Sequence, residues 1–595
     1  MTGFFYGFRC GEGRVISIRK IFPGWRSVAF AILVVAFLLQ PSSLLAQTSP
    51  IPDRLPADTV FCVHWHGKKS FPSDSAKNHV LQLYADPDLA PLWQGLTNTV
   101  FGHKGDHRIP ANMVISALSS LLDNPAVAGF VEYPDARVTA SPQSVLSLGG
   151  FFLVYDETGK TDLINLLTAA SESSPGTPPV SNYSFSGVSV EVREGNGKGR
   201  NVYSAHAEGY YLVSNQKRTI EDLITRFQGA GKPAASLGQS PNYHAIVKYL
   251  GSDTSLDIYG RVPDFVQWIP PGEKYKPIAR FVEALHLEKV HAVGEGVSFS
   301  GEATRVRGAI LGDTSPHGLF DTVGASGPVF LTQPAVAMAP AIRITRVDFR
   351  AAYHLLRAGI MAALTPEQAS NVTTVESMAQ SYLGMSIADA LGLFTGEIAS
   401  GAYYSEDGTQ QAVIAATIED QADVLRVLEA AAGKLIVAED SSGDTTYLDL
   451  LFPYKDPATG TQRRMFYYLA VTPKMALAAP RKAMLRAAVE RLKSQAGAAP
   501  SGSIFADSEY IQLRSLLPAN LSGLTGSEID QIPWDKIAAR LEDQLGQSRK
   551  QSNSHAPDLA WLKQVDFGVM SRHLHRSVGG WWKDSTGIYF DSYLQ

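Results

Sequence analysis

The stretch GYYLVSNQKRTIEDLITRFQGAGKPAASLGQSPNY (Gly209–Tyr243) returns in altered form as KMALAAPRKAMLRAAVERLKSQAGAAPSGSIFADSEY (Lys474–Tyr510). The second copy is longer by a two-residue insertion. Corresponding residues include Leu212 and Leu477, Lys217 and Lys482, and Tyr243 and Tyr510. Because self-similarity at a fixed offset is typical of a repeated unit, the sequence predicts that one module occurs twice.

The length of 595 residues exceeds what one hydrophobic core usually serves, so several domains are expected. An apolar fraction of 45% and a charged fraction of 18% are ordinary for a globular protein. We expect a signal peptide in residues 1–46, a first α+β module in 47–314, a linker in 315–334 and a second α+β module in 335–595.

The N-terminal segment has the layout of a secretory signal. Five basic residues precede an unbroken apolar run, Val28 to Leu39. Small residues follow the run up to Ala46, which precedes Gln47. The run is shorter than the ~20 residues that a membrane-spanning helix needs. We therefore expect cleavage after Ala46 and a periplasmic or secreted protein, with an uncleaved anchor in the inner membrane as the alternative.

The charge of the remaining chain argues against nucleic-acid binding. Without residues 1–46 it has 47 basic and 56 acidic residues, a net charge of −9. Nonspecific binding to nucleic acid requires a basic surface instead. Of the two cysteines, Cys10 lies in the predicted signal and Cys62 remains alone, so the exported chain has no internal disulfide.

Alternating apolar residues predict strands, among them Thr59–Trp65, Ala126–Glu132, 183–193, 256–262 and 565–571. Helical periodicity predicts helices such as 348–364. Each module is predicted to form an antiparallel sheet with helices packed on one face. Such a sheet can leave its other face solvated. The two open faces then form either one continuous layer or a cleft, and the sequence does not decide between these arrangements.

Several segments resemble a loose group of exported bacterial proteins of unknown function with duplicated α+β modules. LPADTVFCV (Leu55–Val63) is similar to the Leu-Pro-Ala-Asp-Thr strand that opens such modules, and 339–348 is similar to a degraded second copy. The segment 384–397 resembles the helix that leads to a Gly-Glu pair and a strand. The resemblance implies a fold and a compartment, but neither an activity nor catalytic residues.

Two groups of histidines are candidates for a metal site. Cys62, His64 and His66 alternate along one predicted strand and would project from the same face. His103 and His107 follow in the loop FGHKGDH. Thiolate and imidazole are good zinc ligands, but a buried structural cysteine with surface histidines explains the same pattern.

Three other motifs have structural interpretations. Ser214 and Lys217 have the spacing of a serine acyltransferase, yet alanine replaces the serine in the second copy. The glycine-rich 195–200 lacks the spacing of a phosphate loop and is predicted to be a turn. The pair Trp581 and Trp582 could stack on a sugar or a partner, but packing in a core is the more usual role of large aromatic residues.

The sequence therefore predicts no catalytic, cofactor-binding or metal-binding residue with enough support to be assigned. We expect a non-catalytic binding or structural protein of the cell envelope, whose partner is an unidentified envelope protein or polymer. A metal-dependent hydrolase that uses the Cys/His cluster is the first alternative. A membrane-tethered assembly factor is the second, and it requires the N-terminal segment to stay attached.

Overall fold

A computed structural model describes residues 51–92, 94–95, 122–132, 149–158, 180–194, 201–229, 235–267, 269, 273, 275–313, 318–455, 461–494, 501–540 and 564–595. The predicted signal segment, the His103 and His107 loop and the glycine-rich 195–200 lie outside these residues. Within the described part, no helix is both long enough and apolar enough to cross a membrane.

The described residues form twenty strands of one antiparallel sheet. In chain order these are β1 (Thr59–Trp65), β2 (Ala126–Glu132), β3 (Gly149–Asp156), β4 (Val180–Phe185), β5 (Val188–Arg193), β6 (Val202–Ala207), β7 (Tyr210–Ser214), β8 (Leu256–Arg261), β9 (Val290–Ser300), β10 (Ala303–Gly312), β11 (Ala341–Arg346), β12 (Phe394–Tyr404), β13 (Gln410–Ile418), β14 (Ile436–Ser442), β15 (Thr445–Lys455), β16 (Gln462–Val471), β17 (Met475–Ala479), β18 (Gly523–Glu528), β19 (Arg576–Lys583) and β20 (Gly587–Leu594).

The described helices are α1 (His79–Ala85), α2 (Lys217–Phe227), α3 (Pro241–Leu250), α4 (Val262–Gln267), α5 (Lys276–Ala284), α6 (Gln333–Val336), α7 (Phe349–Ala363), α8 (Pro366–Leu383), α9 (Ile387–Gly392), α10 (Gln421–Ala432), α11 (Lys482–Ser494), α12 (Ser508–Ser515) and α13 (Gly568–His573). Together with the antiparallel sheet they confirm the predicted α+β class.

The strand pairings place the first ten strands in the order β4-β5-β6-β7-β3-β2-β1-β8-β9-β10. The last ten follow the same order, β14-β15-β16-β17-β13-β12-β11-β18-β19-β20. Antiparallel pairing of β10 with β20 joins the two sets into one sheet. The halves therefore meet edge to edge in one continuous sheet.

One row of directly paired residues runs through all twenty strands, and we call its fourteen members from β7 to β17 the central row. It reads Leu212, Val154, Val127, His64, Asp257, Gly296, Arg307, Asp591, Gly580, Leu524, Ile344, Ala399, Ala415 and Leu477. Its two ends, Leu212 and Leu477, are a pair that the sequence repeat aligns. The pairing of Arg307 with Asp591 lies at the centre of the row. Equivalent strands of the two halves therefore follow in the same order on either side of this pair.

Helices cover both faces of this sheet, whereas the sequence pattern predicts helices on one face. On the face that we call the front, α2 and α3 cover the first ten strands, and α6, α11 and α12 cover the last ten. On the back face, α1 packs near Trp65 and Phe71, and α10 packs near Ile418. In β1 the side chains on both faces of the strand are largely buried. The prediction that helices cover one face of the sheet was therefore wrong for this strand.

The back-face helices also connect the two halves. Helix α5 from the first half packs on α7 from the second, and α13 from the second half packs on α1 from the first. At the latter contact His573 Nε2 lies 2.8 Å from Asp86 Oδ2, and His79 Nδ1 lies 2.8 Å from the His573 carbonyl oxygen. Each half therefore supplies helices that contact the other half.

Two local predictions were wrong. A single strand was expected over 183–193, but Ser186 and Gly187 form a turn with φ of 49° and 81° that separates β4 from β5. Positive φ at two successive residues matches the twist of a tight hairpin. A strand was also expected over 565–571, where Gly568–His573 instead forms α13.

Candidate functional site

A cluster of three metal-ligating side chains lies in the middle of the first ten strands. His64 and His66 project from the front face of β1, and Asp257 projects from the same face of the neighbouring β8. The ligand atoms of these side chains all lie within 4.8 Å of one another. His66 Nε2 lies 2.7 Å from Asp257 Oδ2, and His64 Nδ1 lies 4.0 Å from the same oxygen. We call these residues the His-Asp cluster.

The register of the sheet creates this cluster. His64 and Asp257 are directly paired across β1 and β8, where facing side chains are close neighbours. His66 is two residues further along β1 and therefore projects from the same face. The two imidazole rings contact each other, with centroids 3.9 Å apart. Pairing across the sheet thus brings together residues that are separated by 191 positions in the chain.

The cluster is almost completely shielded from solvent. His64 is 2% exposed and Asp257 is 4% exposed, whereas the His66 side chain keeps 13% of its surface. Burial, together with the neighbouring His66, lowers the pKa of His64 well below its usual value of 6.5. His64 is therefore a neutral imidazole at neutral pH, which is the form that ligates metal ions.

Several polar atoms of the cluster have no hydrogen-bond partner in the described part of the protein. They are Nδ1 and Nε2 of His64 and Oδ1 of Asp257. Leaving a buried polar group without a partner costs about 1–3 kcal/mol. Buried polar groups in folded proteins are therefore nearly always paired, either with other protein atoms or with a bound ion or water molecule.

The equivalent positions in the last ten strands are apolar. Where the central row has His64 and Asp257 in the first half, it has Ile344 and Leu524 in the second. Both of these residues are also buried, at 0% and 3% exposure. The sheet therefore accepts an ordinary aliphatic pair at this point, and the fold itself does not require the polar residues.

Arg346 takes the equivalent position of His66 and forms a purely structural contact. The backbone N–H of His66 donates to the Ser255 carbonyl, and that of Arg346 donates to the Ser522 carbonyl. The Arg346 guanidinium lies 3.4 Å from the Glu397 carboxylate and donates to the Leu521 carbonyl at 2.9 Å. Its donors are thus used by neighbouring protein atoms at the wall of a cavity of about 780 Å³.

The structure supports part of the metal-site hypothesis from the sequence. It brings His64 and His66 together, but Cys62 does not belong to the set of atoms within 4.8 Å. Burial and the nearby Asp257 carboxylate raise the pKa of the Cys62 thiol, so the thiol is protonated at neutral pH. Asp257 was missed, because pairing between β1 and β8 cannot be derived from local patterns.

The other sequence candidates have structural roles. Ser214 is fully buried, donates its hydroxyl hydrogen to the Phe151 carbonyl at 2.7 Å and accepts from the Gln216 backbone N–H. Lys217 points towards Glu221 and the Tyr183 ring instead of Ser214. Trp582 packs against the front-face cores of both halves.

Trp581 lies on the opposite side of β19 from Trp582. It lines a cavity of about 300 Å³ together with Phe281, Leu285 and Leu356. These residues come from the contact between α5 and α7, so the cavity is a packing gap between the two halves. The tryptophan pair therefore does not form a common stacking surface.

Comparisons with known proteins give little further guidance. No protein-family model matches this chain, and no curated protein matches its sequence. Two solved structures, titled crystal forms I and IV of TP0453, align over 45% and 44% of this chain and 81% of theirs. Their sequence identity is 8% in both cases, with TM-scores of 0.22 and 0.23.

Proposed function

We propose that this chain is an exported, non-catalytic binding or structural protein of the bacterial cell envelope, built from two tandem copies of one α+β module. The single observation that carries the two-copy architecture is the repeated strand order around the Arg307 and Asp591 pair. Each of the first ten strands has the same neighbours in the sheet as its counterpart among the last ten strands. The sequence repeat aligns independently with this register at Leu212 and Leu477.

The joined sheet supports a structural role for both copies. Each copy places its last strand, β10 or β20, at the join, and back-face helices from each copy contact the other. Arg305 donates to both carboxylate oxygens of Asp591, which is 4% exposed, so an ion pair also crosses the join.

The burial of the His-Asp cluster argues against the metal-dependent hydrolase. A hydrolytic site must admit a substrate to the metal and to its bound water. Here His64 and Asp257 lie beneath α3 and the other front-face residues, with 2% and 4% exposure. A hydrolase would also predict turnover of model esters or phosphoesters by the zinc-treated protein, and we expect none above the protein-free rate.

Export is tested with the full-length chain in a Gram-negative host. We expect the protein in the periplasmic fraction, with an N-terminus at Gln47. A Val34→Arg variant places a charge in the apolar run and should keep the protein in the cytoplasm. An uncleaved wild-type chain in the membrane fraction would favour the tethered assembly factor, and an uncleaved cytosolic chain would overturn the proposal.

Binding is tested with the purified exported chain. It is mixed with isolated envelope polymer or with solubilised envelope proteins, and a periplasmic protein of similar charge serves as the control. Saturable retention of the chain, but not of the control, is expected. Absence of saturable retention on any envelope fraction would contradict a binding role and leave only the structural role.

A further inference from the structure

The His-Asp cluster combines the features of a metal site that neither a motif nor a relative identifies. Two imidazoles and one carboxylate face one another across β1 and β8, with ligand atoms within 4.8 Å. In a tetrahedral zinc site with bonds of about 2.0–2.1 Å, neighbouring ligand atoms are about 3.3 Å apart. The present separations of 2.7 and 4.0 Å lie on either side of that value, so small side-chain rotations suffice.

The unpartnered atoms are an independent indication of a ligand. His64 is buried, and both of its ring nitrogens lack a partner in the described part of the chain. One Asp257 oxygen also lacks a partner, while the other faces His66. An ion at the centre of the cluster would accept a lone pair from each side chain and so satisfy one of the two His64 ring nitrogens that the protein leaves unpaired.

The second half shows whether the fold needs polar residues at the positions of His64 and Asp257. The equivalent buried pair there is Ile344 and Leu524, in the same row of the same strand order. Polar residues at the first-half positions therefore do not follow from the architecture. Since buried polar groups are costly without partners, a ligand is the simplest reason for their presence.

We propose that His64, His66 and Asp257 bind one divalent zinc ion. Two imidazole nitrogens and one carboxylate oxygen form a ligand set that zinc accepts, whereas calcium and magnesium prefer oxygen ligands alone. A water molecule supplies the fourth ligand from the side of His66, which is the least buried member. The ion has a structural role, because it links β1 to β8 in the interior of the first half.

The test uses the purified exported chain, stripped with a chelator and then dialysed against zinc chloride. Metal content is measured by mass spectrometry, and thermal unfolding is followed with zinc and with chelator. We expect about one tightly retained zinc ion per chain and a higher melting temperature with zinc, because a ligand that binds only the native state stabilises it. Absence of retained zinc in the wild-type chain would overturn the proposal.

The decisive variant is His64→Ile with Asp257→Leu, which installs the aliphatic pair of the second half. It should fold, as judged by circular dichroism, and should lose both the zinc and the zinc-dependent shift. His66→Gln is the second variant, and it should weaken zinc binding at least about ten-fold even if the double variant fails to fold. Unchanged zinc binding in either folded variant would show that the ion binds elsewhere.

A matched control is available on the surface of the same half. His206 lies 2.6 Å from the Glu157 carboxylate, but its side chain is 61% exposed. His206→Ala should leave both the zinc content and the zinc-dependent shift unchanged. A loss of zinc in this variant would place the binding at exposed histidines and would contradict the assignment to the His-Asp cluster.

Discussion

The first ten strands and the last ten strands fill the same positions of the sheet with different side chains. Gly296 and Gly580 are equivalent in the central row, and each makes room for a residue that precedes β8 or β18. Further along the row, His64 and Asp257 in the first half occupy the positions that Ile344 and Leu524 occupy in the second half. The close packing is shared, while the polar pair at these two positions belongs to the first half alone.

This difference separates what the fold requires from what is particular to one half. A glycine is required where helix and sheet approach closely, so it is present in both halves. A buried polar pair is costly, and of these two equivalent positions only the first-half one has it. The comparison therefore indicates a local role for the polar pair, and the following variants either sharpen or break it.

The largest effect is expected when the polar pair is moved into the second half. Ile344→His with Leu524→Asp would bury two polar groups beside Arg346 and without a second imidazole. We expect a loss of about 3–5 kcal/mol in the free energy of unfolding, as is usual for buried groups that lack partners. Denaturant unfolding measures this, and a loss below about 1 kcal/mol would show that the two environments are already alike.

The ends of the central row provide the second comparison. Leu212 and Leu477 are 0% and 1% exposed, so each truncation to alanine should cost about 2–5 kcal/mol. Because the two residues are equivalent, we expect the two losses to agree within about 1 kcal/mol. Loss of stability in only one of the two variants would contradict the equivalence of the two positions.

The two glycines of the central row provide the third. A Cβ on Gly296 would lie 2.7 Å from Thr254 Cγ2, and one on Gly580 would lie 2.8 Å from Leu521 Cδ1. Alanine at either position should therefore cost about 1–3 kcal/mol through overpacking. The control is Gly433→Ala, where the added Cβ meets only Glu429 Cγ at 3.9 Å and the change should be close to neutral.

The pH dependence of stability should differ between the polar and the aliphatic pair. The pKa of His64 is depressed in the folded state, so the unfolded state binds more protons below about pH 6.5. Stability of the metal-free wild type should thus fall as the pH is lowered from about 6.5. In His64→Ile with Asp257→Leu this fall should be shallower, and identical pH profiles would contradict a neutral, buried His64.

The smallest effect is expected at the surface. The His206 side chain is 61% exposed and pairs with Glu157, which is 18% exposed, and ion pairs that reach solvent contribute about 0–1 kcal/mol. His206→Ala should therefore change the free energy of unfolding by less than about 0.5 kcal/mol. A larger loss would show that histidine-carboxylate pairs stabilise this protein irrespective of burial.

The sequence predicted part of this architecture. Period-two alternation located β1 and β2 at their observed bounds, and the repeated stretch aligned Leu212 with Leu477, which are equivalent in the central row. Local patterns could not predict which strands pair, so the edge-to-edge join of β10 and β20 and the helices on both faces were missed. Long-range pairing is determined by the packing of the whole sheet.

The same limit explains the outcome at the candidate site. His64 and His66 stood out because they alternate on one strand, and the structure brings them together. Asp257 gave one usable signal, an acidic residue inside the predicted strand 256–262, where carboxylates are rarely buried without a partner. Nothing in the sequence paired that strand with β1, so the third member of the cluster could not be assigned.

A disulfide across the centre of the row tests the edge-to-edge join of the two halves most directly. Arg307→Cys with Asp591→Cys places two thiols at directly paired positions of β10 and β20, within reach of a disulfide. Arg307→Cys with Ser592→Cys is the control, since residue 592 is one position out of register and projects from the other face. We predict that the first pair cross-links on mild oxidation and the second does not. Cross-linking of the second pair alone, or of neither, would contradict the join between the two halves.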